Sequence, residues 1–244
     1  ETVSQTLTYA SRDAFVKGLH ELLARPFLTM EQECTRELAW TDWAGKGYTI
    51  ADEFDYVNGS ATRKAGCTPG VRDEHHDGRT VDGFVAIARE YVLERLAQKG
   101  GGTAESHAAA VLTRDEVIAV RLYSGPAFQP INNFLRQLSG LRGELQESLA
   151  MHPRCTFLAT VGHICSAIRK LSAVATEEEA RQRLYRGVRG QLPKGFFIPD
   201  AHGLCCAVET AFMSTSCDEQ AAIGYRSKHG ENVLWQLQSR PESD

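Results

Sequence analysis

Three stretches decide the fold: Arg183-Leu184-Tyr185-Arg186-Gly187-Val188, Ala207-Val208-Glu209-Thr210-Ala211-Phe212-Met213 and Asn232-Val233-Leu234-Trp235-Gln236-Leu237-Gln238. In the last, Val233, Trp235 and Leu237 alternate with Asn232, Leu234, Gln236 and Gln238, the period of a strand. The first two also read as short strands. Between them runs a loop punctuated by Gly190, Pro193, Gly195, Pro199 and Gly203. After Met213, Ser216 and Glu219 form a capping-box pattern that opens a short helix through Ala221, Ala222 and Tyr225.

Upstream the period is helical. Thr176 and Glu179 repeat the capping-box pattern on a short helix. Phe157, Val161, Ile164, Ile168 and Leu171 mark a long helix before it, and Ile131, Phe134, Leu135 and Leu138 another. Thr113 and Glu116 cap a helix that stops at Gly125-Pro126. Further back, Gly100, Gly101 and Gly102 break a helix whose buried stripe is read as Phe84, Ile87, Tyr91 and Leu96. Residues 39–76 show no sustained period and hold the turn-like pairs Asn58-Gly59 and Pro69-Gly70. Phe15, Leu19, Leu22 and Leu23 line a first helix that begins at Asp13 and ends at Pro26.

Helices first and strands after them predict an α+β fold. A mostly helical accessory region, residues 1–100, precedes a core at 111–244, with a helical lobe at 111–182 and strands at 183–238. The expected connection lies between about Lys99 and Ala110. Three short strands make a thin sheet with an open edge. The expectation is that further strands come from a continuation of the chain or from another chain. The sequence opens at Glu1 without an initiator Met, so residues are expected to have been removed from its front.

The bulk numbers set limits. With 244 residues, 42% hydrophobic and 24% charged, the chain has an ordinary globular composition and length enough to bury a core. A formal charge of −4 argues against nucleic acid as the main partner, since phosphate backbones select clustered Lys and Arg. No apolar run approaches the roughly 20 residues of a membrane span. Seven cysteines, an odd number at irregular spacing, favour free thiols and an intracellular setting.

Tyr185-Arg186-Gly187, a Gly/Pro loop and then Phe212-Met213-Ser214-Thr215-Ser216 together resemble the core of the mono-ADP-ribosyltransferases of the arginine–serine–glutamate class. Tyr123-Ser124-Gly125-Pro126, followed by Ile131-Asn132 and Leu135-Arg136, resembles the helical lobe that precedes the cleft in eukaryotic members. The likeness covers roughly Val111 to Leu237. It implies a split β-sheet cleft that takes NAD as substrate, without a metal, and hands ADP-ribose to a protein acceptor, arginine above all, or to water.

The residue types suit that chemistry. An arginine fork grips phosphate oxygens bidentately, and the resemblance gives Arg186 this role. Gly187, lacking a Cβ, would let backbone groups approach the nicotinamide amide. Ser214 would orient the catalytic glutamate, with Thr215 and Ser216 lining the site. Phe196, Phe197 or Tyr225 could stack on nicotinamide, and core packing is the competing role for each.

Breaking the ribose–nicotinamide bond builds oxocarbenium character that a carboxylate stabilises. The family places that glutamate in a Glu-x-Glu segment beyond Ser-Thr-Ser. Here Glu231 and Glu242 read as solvated loop charges and Glu209 as a structural or rim residue, so the sequence is expected to stop before the catalytic residue. The alternative is an inactive transferase-fold module that serves as a binding or structural subunit. Metal sites are set aside: His75-His76 among Asp73, Glu74 and Asp77 reads as a solvated loop, Cys205-Cys206 lacks chelating spacing, and Cys155, His163 and Cys165 do not share a helix face.

Overall fold

The computed structural model describes residues 28–35, 49–59, 80–98, 110–138, 157–192, 194–203, 205, 209–226 and 229–238. The helix expected from Asp13, the Pro69-Gly70 turn, the His75-His76 loop, the Gly100–Gly102 break and Cys155 lie outside them. By contact density the chain divides into residues 1–173 and residues 174–244.

The first unit is helical: α1 (Met30–Thr35), α2 (Ile50–Val57), α3 (Val81–Gln98), α4 (Arg114–Ser124), α5 (Phe128–Leu138) and α6 (Leu158–Val174). At the start of α4, Thr113 Oγ1 accepts from the Glu116 amide at 3.2 Å, and the Glu116 carboxylate accepts from the Thr113 amide at 2.7 Å. This is the expected box. The same device opens α2, where Thr49 and Asp52 cap each other. The reading of residues 39–76 as aperiodic missed this helix, whose Ile50, Phe54 and Val57 are buried at helical spacing. It ends in the expected Asn58-Gly59 turn, where Gly59 takes a φ of 83° that suits glycine.

Leu112, Val117 and Ala167 form a buried cluster covered by Phe84, Val85, Ala88, Val120 and Leu171. Two expected stripe residues are corrected. Ile87 is 59% exposed, on a side of α3 that lines a hollow of about 510 Å3, while Val81 and Val92 are buried. Ile168 is 49% exposed, while Thr160, Ile164 and Ala167 carry the inner face of α6. Each stripe is rotated from the expected one because the packed neighbour, rather than the bulk of a side chain, selects the buried face.

Glu33 and Glu116, two of the buried glutamates, join helices through side-chain contacts. Glu33, on α1, accepts from the Ala159 amide at 2.7 Å and from the Thr160 amide and hydroxyl at 2.9 and 2.8 Å. It thereby caps α6 from a position far away in sequence. Burial pushes its carboxyl above the ordinary glutamate range, against the opposing effect of these hydrogen bonds. Next to it, the Cys34 thiol is pushed up to about 12, first by burial and then by the Glu33 charge, and so stays protonated and inert.

Glu116 shifts the other way. Burial raises its carboxyl, but the Ser166 hydroxyl, the Thr113 amide and the Lys170 ammonium at 2.9 Å outweigh that, and the net shift is downward. A folded value below the unfolded one of about 4.3 adds stability above that pH and loses it as pH falls through the folded value. We therefore expect the melting temperature of the parent to fall relative to that of Glu116→Gln as buffers are acidified below about pH 4.3. A constant difference between the two across that range would refute it.

The second unit holds α7 (Glu177–Arg181), β1 (Arg183–Arg189), a 3-10 turn (Lys194–Phe197), α8 (Glu219–Gly224) and β2 (Asn232–Gln238). Thr176 and Glu179 form the expected box on α7. β1 and β2 pair antiparallel, with Arg183 opposite Gln238 and Arg189 opposite Asn232. The strand expected at Ala207–Met213 is absent among the described residues: 209–215 run without regular structure, and only Ser216 bridges to Tyr185. The cause is local. Glu209 Oε1 accepts from the Ala211 amide at 3.1 Å, a side-chain contact that competes with a strand ladder. The expected Ser216–Glu219 box is also corrected: the N-cap of α8 is Asp218, which accepts from the Gln220 amide at 2.8 Å.

Helix and a small antiparallel sheet together make a mixed architecture compatible with α+β. No helix among the described residues is long and apolar enough to cross a membrane.

Candidate functional site

Alternation along β1 sorts its side chains onto two faces. Gly187 and Arg189 face α8. A Cβ on Gly187 would collide with the carbonyl oxygen of Ala222, and Arg189 Nε donates to the Tyr225 carbonyl at 3.0 Å. The bare Cα of Gly187 is thus filled by the backbone of α8. Arg186 points to the other face, directly across the ladder from Trp235. Phe196 packs on Trp235 with ring centroids 5.6 Å apart, and Phe197 packs edge-on against Phe196 at 5.4 Å.

The Tyr185 amide donates to the Ser216 carbonyl at 2.8 Å, and the Ser216 amide donates back at 2.9 Å. The residues leading to Ser216 therefore meet the backbone of β1 at that bridge, on its edge away from β2. Arg186 reaches across to them: Nη1 donates to the Ser214 carbonyl at 3.2 Å, and Nη2 meets Glu209 Oε2 at 3.4 Å. The side chains of Arg186 and Glu209 are 20% and 22% exposed, so the pair is shielded without being sealed.

The structure thus brings Arg186 and Ser214 together, through the backbone of the serine. Ser214 and Thr215 are exposed, and the Ser216 hydroxyl accepts from the Asp218 amide at 3.0 Å. Of the three candidate stacking aromatics, Phe196 shares the face of Arg186 through its contact with Trp235. Phe197 and Tyr225 are 66% and 65% exposed, and Tyr225 lies at the end of α8, beside the face of Gly187.

Two neighbours of Arg186 were not expected from sequence. One is Glu209, read as a structural or rim residue, which here is the counter-ion of Arg186. Its signal was the single charge inside the largely apolar run Cys205–Met213, which needs a partner when packed. The other is Trp235, whose indole N–H is buried without a partner among the described residues.

Among the described residues no group of three or more His, Cys, Asp or Glu is placed to hold a metal ion. Chemically, the cluster offers a guanidinium with donors to spare, hydroxyls on an exposed segment and an aromatic surface on one face. Those are elements for holding a phosphorylated ligand.

No protein-family model matches the chain. No curated protein matches it. Nor does any solved structure.

Proposed function

We propose that this chain carries the NAD-binding core of a mono-ADP-ribosyltransferase, which moves ADP-ribose from NAD to a protein side chain, arginine by preference, or to water. The observation that supports this most is the 3.2 Å approach of the Arg186 guanidinium to the Ser214 carbonyl. It joins two positions 28 residues apart that match the arginine and serine of that class.

In this reading the remaining donors of Arg186 grip the pyrophosphate of NAD, and Ser214, Thr215 and Ser216 line the ribose side. The bond between ribose C1′ and the nicotinamide nitrogen breaks, and its electron pair leaves with nicotinamide. The lone pair of the acceptor forms the new bond to C1′, and its proton passes to solvent. A carboxylate oriented by the Ser214 hydroxyl stabilises the oxocarbenium charge. No glutamate of this sequence is assigned to that task. β2 has no strand on its outer edge among the described residues.

The test is titration calorimetry of the chain with NAD. Binding is expected, and absence of any heat with NAD would remove the assignment. The neutralisation of Arg186 by Glu209 favours a second reading, a fold kept as a binding module. An absence of NAD binding is its signature, where the transferase reading expects binding.

A further inference from the structure

Glu209 has no part in the transfer chemistry, yet it sits on the group that should hold the phosphates. A guanidinium carries five N–H donors. In Arg186 one goes to Glu209 and one to the Ser214 carbonyl, and the rest have no acceptor among the described residues. The donors are therefore available, but the charge is not. With a carboxylate at 3.4 Å the pair sums to zero, so an incoming diphosphate meets a neutral site with one negative charge already in place.

The contact has the features of one that yields. Its length is at the outer limit of a hydrogen bond. Both side chains keep about a fifth of their exposure, so water and ions screen the pair. Glu209 also has an anchor of its own: Oε1 stays on the Ala211 amide at 3.1 Å while Oε2 faces the arginine. A turn of the carboxylate about that anchor frees Nη2 without unfolding the segment.

We propose that Glu209 is a built-in competitor for Arg186, an internal anion that a diphosphate-bearing ligand must displace, and that it sets the affinity of the site. This rests on the reading of Arg186 as the phosphate-binding residue. It goes beyond that reading in direction: a residue that merely positioned Arg186 would weaken binding when neutralised, whereas a competitor strengthens it.

The experiment is calorimetric titration of the whole chain with inorganic pyrophosphate at low ionic strength, for the parent, Glu209→Gln and Arg186→Ala. The amide oxygen of Gln still accepts from the Ala211 amide, so the segment keeps its turn. Glu209→Gln is expected to bind pyrophosphate about three- to tenfold more tightly, the size of effect one partly screened charge produces, and Arg186→Ala to lose binding. Should Glu209→Gln fail to melt cooperatively, Glu209→Ala carries the same test. Equal or weaker binding by the neutral variant, or no pyrophosphate binding by parent and variant alike, overturns the proposal. Because the probe is pyrophosphate, a chain that ignores NAD but shows this pattern refutes the transferase reading alone.

Discussion

Arg186→Ala is expected to weaken NAD binding by roughly a hundredfold, the loss of two charge-assisted hydrogen bonds to phosphate. Arg186→Lys should recover only part of it, because an ammonium restores the charge without the planar fork. The same side chain also ties residues 209–214 to β1, through the Ser214 carbonyl and Glu209. Some of the loss will therefore come from a loosened segment. Circular-dichroism melting separates the contributions, since the backbone bridge between Tyr185 and Ser216 does not need the guanidinium. An Arg186→Ala chain that melts like the parent and binds NAD as tightly would dispose of the assignment.

The second large effect is on stability. Glu33→Ala should cost about 2–4 kcal/mol, because it strands two buried amides and a hydroxyl at the start of α6 and leaves a cavity. Glu33→Gln should cost less, since its amide oxygen still satisfies one or two of those donors. The pH signature is opposite to that of Glu116. Burial raises the folded value above the unfolded one, so the titration of Glu33 contributes stability fully below about pH 4.3 and loses it as pH rises through the raised value. Denaturant melts of the parent and Glu33→Ala at neutral pH decide the point, and a difference under 1 kcal/mol would count against the cap.

Elements with local causes were legible in the sequence. The boxes at Thr113 and Thr176 and the strands at 183–189 and 232–238 follow from side chains within a few residues of one another. α2 was overlooked because it is only eight residues long and its box uses Asp52 in place of the usual Glu or Gln. The segment 207–213 has strand composition, but part of its backbone bonding is claimed by the side chain of Glu209, which composition does not reveal.

At the candidate site, Arg186 and Ser214 were nominated by motif, and the guanidinium reaches the backbone carbonyl of Ser214 rather than its hydroxyl. Glu209 was seen, but its partner was not, because a contact across 23 residues between an irregular segment and a strand has no period to announce it. Gly187 was explained by ligand approach, and a helix fills that space.

That glycine has a consequence for how the second unit comes apart. A glycine inside a strand adds no side-chain contact and weakens the ladder around it, and a lone pair of strands is marginal in water. What β1 lacks at 187 is made up by the close seat of α8, so strand and helix should open as one cooperative element. Amide exchange at 185–189 and 219–224 would then share a single opening free energy, and motion of either element would unseat the other.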